Sequence, residues 1–208
     1  MLRGTTWVQQ AYVKASNTDA GDRFGSSVAL AGDGSTLAVG APGESSDATG
    51  INGDQRNDDA PASGAVYLFA RGATGRWTQQ AYIKASNTDA LTFFGSAVAL
   101  SRDGTSLAVG ATYEASNARG IDGDQRDVSL FRAGAVYVFA RDEDAWLQRA
   151  FVKASNTHPN GEFGYGIALS SDGATLAVGK PYENGGASGV GGDQTALTAQ
   201  WAGAVYLY

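Results

Sequence analysis

The chain has 208 residues, a mass of 21.4 kDa and a formal net charge of −6, with 15 Lys and Arg against 21 Asp and Glu. An acidic balance without basic blocks argues against a nucleic-acid partner and against an anionic membrane surface. No apolar run approaches the roughly 20 residues of a membrane span, and the first residues lack the apolar region of a signal peptide. The absence of cysteine excludes disulfides and thiolate metal sites, and a single histidine argues against an imidazole-based metal site or catalytic triad.

A threefold internal repeat organises the whole chain. The segment that opens with Trp7 returns at Trp77 and again at Trp146, at intervals of 70 and 69 residues. Phe-Gly pairs at 24–25, 94–95 and 163–164 keep these intervals, and so do Gly-Ala-Val-Tyr segments at 64–67, 134–137 and 203–206. We therefore predict a single domain over residues 1–208, with repeats at about 7–76, 77–145 and 146–208.

Each repeat predicts four short strands, labelled a to d. In the first repeat, a run of small and apolar residues over 24–30 and a second run over 36–40 flank Asp33-Gly34, and Asp-Gly between two such runs is a strong hairpin signal. A long polar, Gly-rich connection leads to strand c over 65–70, and strand d follows over 77–85. Since no segment shows a sustained apolar period of 3.6 residues, we expect almost no helix.

Strand c is apolar on both faces, with Tyr67 and Phe69 on one face and Val66 and Leu68 on the other. A strand that is buried on both sides places its sheet between other sheets. Four-stranded sheets stacked around an axis describe a β-propeller, whereas a solenoid, which is the alternative, usually has shorter repeats. The sequence therefore predicts an all-β fold, a β-propeller of four-stranded blades with three blades in this chain.

Phe24-Gly25 followed by Gly40-Ala41-Pro42 resembles the FG-GAP repeat of the integrin α-chain β-propeller and its bacterial relatives, and the other two repeats vary this pattern. The resemblance implies a recognition module, extracellular or at the cell surface, in which some blades hold Ca²⁺ at the a–b hairpin. Here each hairpin offers one carboxylate (Asp33, Asp103 or Asp172), whereas Ca²⁺ takes six to eight oxygens. We therefore expect these aspartates to be turn residues, and we expect no cofactor.

Propellers typically have four to eight blades, and the two ends of the sequence suggest how three blades could close. The sequence starts with a spare strand d over 7–15 and stops after the strand c of the third repeat. Two copies joined head to tail would give a homodimer that forms a six-bladed ring, in which each spare strand completes the last blade of the partner. The alternative is that the sequence is a fragment of a longer chain.

The long b–c connection carries polar residues that recur with one spacing in every repeat, a glutamate and, ten residues later, an Asp-Gln pair. These candidate ligand-binding residues are Glu44, Asp54, Gln55, Glu114, Asp124, Gln125, Glu183, Asp193 and Gln194. They indicate either a repeated ligand site or side chains that cap backbone groups of the loop, and their recurrence in every repeat favours capping. The densest carboxylate cluster, Asp122, Asp124 and Asp127, is the candidate for Ca²⁺.

Tryptophan and lysine offer further candidates. The repeated residues Trp7, Trp77 and Trp146 fit either one sugar-stacking platform per blade or packing at a strand start, and packing is favoured. Trp201 is not repeated and is a candidate for ligand binding or for an interface. The repeated lysines Lys14, Lys84 and Lys153 stand at the end of strand d, where we expect solvent exposure.

These observations predict a non-catalytic module for binding or adhesion, or a structural scaffold, that self-assembles and takes a protein or glycan ligand. The alternative is a carbohydrate-binding propeller, and a propeller associated with a hydrolase is less favoured. We expect no enzymatic activity, because neither an activated nucleophile nor a clustered acid–base pair stands out.

Overall fold

The computed structural model describes residues 6–208 and the backbone of residues 2–3. The described residues contain no helix and form three antiparallel sheets and a two-stranded ribbon. The ribbon pairs β1 (Leu2–Arg3) with β2 (Thr6–Trp7). Sheet 1 contains β3 (Ser27–Leu30), β4 (Thr36–Ala41), β5 (Ala65–Arg71) and β6 (Trp77–Ile83). Sheet 2 contains β7 (Phe94–Leu100), β8 (Ser106–Ala111), β9 (Ala135–Asp142) and β10 (Ala145–Val152). Sheet 3 contains β11 (Gly166–Leu169), β12 (Leu176–Lys180) and β13 (Ala204–Leu207).

The order of strands in sheets 1 and 2 confirms the predicted a-b-c-d meander, since each strand pairs antiparallel with the next strand along the chain. The a–b hairpins turn at Gly34, Gly104 and Gly173, each with a left-handed φ of 70°. In the first hairpin, Asp33 Oδ1 accepts a hydrogen bond from the Ser35 amide at 2.8 Å, and bonds from Ser35 lower the pKa of Asp33. The hairpin aspartate is therefore a turn residue, as predicted.

The core lies between the sheets rather than within one of them. Val66 and Leu68 on β5 are buried and share a cluster with residues of sheet 2, against which Val98 and Leu100 of β7 also pack. A second cluster joins sheets 2 and 3 in the same manner, from Val136 on β9 to Ile167 and Leu169 on β11. In sheets 1 and 2, strand c is thus buried on both faces, as its composition predicts.

Backbone contacts bring neighbouring sheets very close together. The Phe94 amide donates to Ser63 O at 3.0 Å, and the Phe163 amide donates to Ala133 O at 3.1 Å. At Gly40 a Cβ atom would stand 2.0 Å from Gly95 O, so no larger residue fits at this junction. The same set of contacts therefore joins sheet 1 to sheet 2 and sheet 2 to sheet 3.

The N-terminal segment differs from the prediction of a strand over 7–15. Within residues 6–15 the strand is Thr6–Trp7, which pairs with Leu2–Arg3, and residues 8–15 belong to no sheet. Val13 and Ala15 nevertheless pack against the outer face of sheet 1. A strand needs a neighbouring edge with which to exchange hydrogen bonds, and within this chain sheet 1 places no such edge beside the segment. The β13 edge, at the other end of the stack, has no neighbour beyond it among the described residues.

Candidate functional site

Each long b–c loop sends a glutamate into the interior of the stack. Glu44, Glu114 and Glu183 are almost completely buried, and none is more than 3% exposed. Each accepts a hydrogen bond from an asparagine of the preceding d–a connection: Asn17 at 3.0 Å, Asn87 at 3.4 Å and Asn156 at 3.0 Å. The glutamates therefore join the two long connections, which lie on the same side of the sheets.

A lysine just beyond strand d neutralises two of these glutamates. Lys84 Nζ lies 2.7 Å from Glu44 Oε2, and Lys153 Nζ lies 2.6 Å from Glu114 Oε2. Both lysines are completely buried, so the expectation that they are solvent-exposed is wrong. Burial lowers the pKa of Lys84, and the Glu44 charge opposes this change. The lysine and the glutamate recur together in each repeat, and this joint recurrence is the sequence signal that could have indicated the buried pair.

Sheet 3 satisfies its glutamate in a different way. Lys180, on β12, lies 2.6 Å from Glu183 Oε2 and takes the place of the strand-d lysine. His158 Nε2 lies 3.2 Å from the same oxygen. Burial alone would raise the pKa of Glu183, but the hydrogen bond and charge of Lys180 outweigh it and hold that pKa below its usual value. The glutamate of sheet 3 is therefore neutralised without a strand d.

Tyrosines on strand c extend this network. Tyr67, Tyr137 and Tyr206 each donate the hydroxyl proton to the asparagine that contacts the glutamate, at 2.5 Å. Burial raises the pKa of all three tyrosines, which keeps their hydroxyls protonated as donors. The glutamate, lysine, asparagine and tyrosine thus form one buried polar cluster in sheets 1 and 2, and Lys180 completes its counterpart in sheet 3.

The Asp-Gln pairs support the loops locally. Asp54, Asp124 and Asp193 each accept a hydrogen bond from the backbone amide two residues further on, at 3.1, 3.0 and 2.8 Å. Gln55, Gln125 and Gln194 each accept one from a serine hydroxyl of the d–a connection. The nine repeated residues therefore lie around the d–a connection. The three aspartates bond backbone amides, which fits the predicted capping role, whereas the three glutamines bond serine side chains.

The three aspartates of the Ca²⁺ candidate serve separate backbone groups. Asp122 Oδ1 accepts from the Phe151 amide at 2.9 Å, Asp124 Oδ1 from the Arg126 amide at 3.0 Å, and Asp127 Oδ1 from the Ser129 amide at 2.7 Å. Within residues 6–208, no three or more acidic or imidazole side chains are grouped so that they could hold a metal ion. The geometry therefore gives no support to Ca²⁺ at this cluster.

The exposed side chains beside these loops differ between the sheets. At one pair of equivalent positions, sheet 1 has Gly43 and Ala62, sheet 2 has Tyr113 and Arg132, and sheet 3 has Tyr182 and Trp201. Arg132 stacks on Tyr113, with Cζ 3.8 Å from the ring centroid. Trp201 is 64% exposed and meets Tyr182 edge to face at 6.1 Å. The same pair of repeat positions thus carries different side chains in each sheet.

The repeated tryptophans do not form a matching set of platforms. Trp146 is buried in the core between sheets 1 and 2, and Trp77 packs against the core of sheet 1. Trp7 alone of the three is largely exposed, and it lies in the segment that precedes sheet 1. The favoured interpretation, packing at a strand start, fits Trp77 and Trp146.

The stack of two four-stranded sheets and one three-stranded sheet, all antiparallel and joined by one repeated set of contacts, is typical of an all-β repeat protein. The family model described as FG-GAP repeat matches residues 7–69 and 77–139, which together make up more than half of the chain. The chain belongs to the FG-GAP repeat family. No curated protein matches the chain. No helix in the described part of the chain is long and apolar enough to cross a membrane.

Replacing Lys84 with Met tests the buried ion pair. The substitution leaves the Glu44 carboxylate buried without a counter-charge, so we expect the free energy of unfolding to fall by about 3–5 kcal/mol, measured by urea denaturation. Arg149→Met is the matched control, because Arg149 and Asp142 form an exposed pair at 3.4 Å that contributes less than about 1 kcal/mol. Equal losses in the two variants would contradict the central role of the buried cluster.

Proposed function

We propose that the chain is a non-catalytic recognition module whose three sheets are blades of a β-propeller. The observation that carries this proposal is the difference between the buried and the exposed residues on the face with the long loops. The glutamate, asparagine and tyrosine that recur in every repeat bond to one another in the interior, while exposed neighbours such as Tyr182 and Trp201 differ from blade to blade. A rigid scaffold that presents variable loop residues is typical of binding modules. Family resemblance favours an extracellular or cell-surface location.

The state of the buried carboxylates supports a non-catalytic function. A general acid or base must come within hydrogen-bond reach of its substrate. Glu44 and Glu114 are instead covered by the protein and paired with lysines at 2.7 and 2.6 Å. These two glutamates therefore have a structural role.

The ring closes, in this proposal, through the two outer faces of the stack. In the 208-residue chain, Val28 and Leu30 of sheet 1 are 64% and 58% exposed, and Val205 and Leu207 of sheet 3 are 70% and 72% exposed. By repeat position, the exposed pair of sheet 1 corresponds to Val98 and Leu100, and the exposed pair of sheet 3 corresponds to Val66 and Leu68. These four residues pack together between sheets 1 and 2. Two copies placed head to tail would bury both outer faces and complete six blades, within the range of known propellers.

The solution mass tests this ring. Light scattering coupled to size-exclusion chromatography is expected to give about twice the 21.4 kDa of the chain. Leu30→Asp and Leu207→Asp each place a charge in the junction, and each should weaken dimerisation at least about 100-fold. Val128→Asp, at an exposed loop position of sheet 2, should leave the dimer intact. A monomeric unsubstituted chain, or dimers that persist in both face variants, would contradict the ring.

A carbohydrate ligand is a second candidate, which the Tyr182–Trp201 pair favours. An exposed indole beside a second ring offers the flat apolar surface that a sugar ring can cover. Trp201→Ala is expected to reduce binding on a glycan array at least tenfold, and Phe131→Ala, an exposed aromatic residue of the neighbouring sheet, is the matched control. An array without signal would contradict the carbohydrate candidate. Hydrolysis of generic ester, phosphate or glycoside substrates would contradict the non-catalytic proposal.

A further inference from the structure

The outer edge of sheet 3 carries a groove between β13 and its long loop, lined by Glu183, Gly189, Gly191 and Tyr206 among others. We propose that this groove binds an extended segment with the sequence character of strand d, and that its occupant is residues 7–15 of a second copy. The inference rests on the proposed ring and names the segment that each copy exchanges.

Sheets 1 and 2 define what such a groove recognises. The Lys84 amide donates to Gly50 O at 2.8 Å, and the Gly50 amide donates to Ala85 O at 3.3 Å. In sheet 2 the Lys153 amide donates to Gly120 O at 2.8 Å. Strand d thus lies between strand c and the Gly-rich start of the Asp-Gln loop. The backbone of strand d is therefore bound on both of its sides.

Sheet 3 has the same acceptor in place. Gly189 stands at the position of Gly50 and Gly120, and its φ of +78° falls in the same left-handed region as their +68°. No backbone bond equivalent to the one from Lys84 reaches Gly189 O in the described part of the chain. Beside it, β13 exposes the edge that β5 and β9 use to bind β6 and β10. The groove is therefore a strand site that lacks its strand.

Residues 9–18 have the sequence of residues 79–88 except for Val13 in place of Ile83. In the strand, Tyr82 and Lys84 are fully buried, whereas Tyr12 is 82% exposed and Lys14 is also exposed. The same sequence is thus buried where it has a neighbouring strand and exposed where it has none. The exposed side chains of the N-terminal segment are the ones that a strand c would cover.

The N-terminal segment is already held in the position of a strand d on one of its two sides. Val13 and Ala15 pack against the core of sheet 1, as Ile83 and Ala85 pack against the core shared with sheet 2. Asn17 donates to Gln55 O at 3.2 Å, and Asn87 donates to Gln125 O at 3.1 Å. The strand-c neighbour and the Gly-rich loop have no counterpart beside the segment among the described residues, and β13 and the groove of a second copy would supply both.

Side chains at the proposed junction are also complementary. Across the junction of sheets 2 and 3, Arg132 and Glu162 form an ion pair at 4.0 Å. The repeat places Trp201 and the partner's Arg23 at the corresponding positions. A guanidinium over an indole ring is an attractive contact. Lys180 already neutralises Glu183, so the partner's Lys14 would share that carboxylate with it, while the backbone register of the strand decides the fit.

The register gives a direct test, since the chain has no cysteine. Val66 faces Ile83 in sheet 1 and Val136 faces Val152 in sheet 2, so Val205 should face the partner's Val13. Facing residues of antiparallel strands have Cβ atoms about 4.5–5.5 Å apart, close to what a disulfide spans. We expect the doubly substituted chain Val13→Cys/Val205→Cys to form a covalent dimer on mild oxidation, seen on a non-reducing gel.

Tyr12→Cys/Val205→Cys is the matched control. A shift of one residue turns the side chain to the opposite face of the sheet, so at least tenfold less covalent dimer is expected. Equal yields in the two variants, or no covalent dimer in a Val13→Cys/Val205→Cys protein whose native mass is still that of a dimer, would overturn the strand exchange while leaving the ring intact. A monomeric native mass for the same variant and for the unsubstituted chain would overturn the ring itself.

Discussion

A buried ion pair between a loop glutamate and a strand-d lysine is the interaction on which the rest of the repeat depends. A buried charge without a partner costs several kcal/mol, so each member fixes the position of the other. In sheet 1, Glu44 draws the b–c loop inward and Lys84 anchors the end of strand d. Asn17 connects the same carboxylate to the preceding d–a connection and, through Tyr67, to strand c. One charge pair therefore connects the b–c loop, the end of strand d and, through Asn17, the preceding d–a connection.

The strands could be predicted from the sequence because their signals are local. Asp33-Gly34 between two apolar runs specifies a hairpin, and the apolar faces of strand c specify burial between sheets. The burial of Lys84 could not be predicted in this way. Its partner, Glu44, lies 40 residues earlier in the chain, and a lysine at a strand end reads as solvent-exposed unless that partner is known. Recurrence of both residues in each repeat is the signal in the sequence that points to this pairing.

The N-terminal segment shows a second limit of prediction from local sequence. Residues 9–18 nearly duplicate residues 79–88, yet 79–83 lie in strand β6 and residues 8–15 lie in no sheet. A strand is defined by its neighbour as much as by its own residues. In the candidate site, Asp54 and its counterparts bond local backbone amides, which fits the capping role that recurrence favours for them. The contacts of Trp201 with Tyr182 depend on loop geometry that no repeat pattern specifies.

A repeated interior with a varied surface accounts for the proposed recognition role. The buried clusters fix the loops in the same way in each sheet, so Ala62, Arg132 and Trp201 can differ at equivalent positions without disturbing the fold. The same repetition supplies the proposed assembly, because a junction that joins sheet 1 to sheet 2 can also join sheet 3 to a second copy. Recognition and assembly would then use different parts of one repeat, the loops and the sheet faces.

Hydrogen–deuterium exchange, read by mass spectrometry, tests most directly whether the strand-d contacts found within one copy also form between two copies. Peptides covering residues 9–15 and 79–85 differ only at Val13 and Ile83, so their intrinsic exchange rates are nearly equal. The account predicts slow exchange in both peptides at concentrations where the dimer forms, and loss of protection in residues 9–15 alone on dilution. Rapid exchange of residues 9–15 at every concentration, beside a protected 79–85, would contradict it.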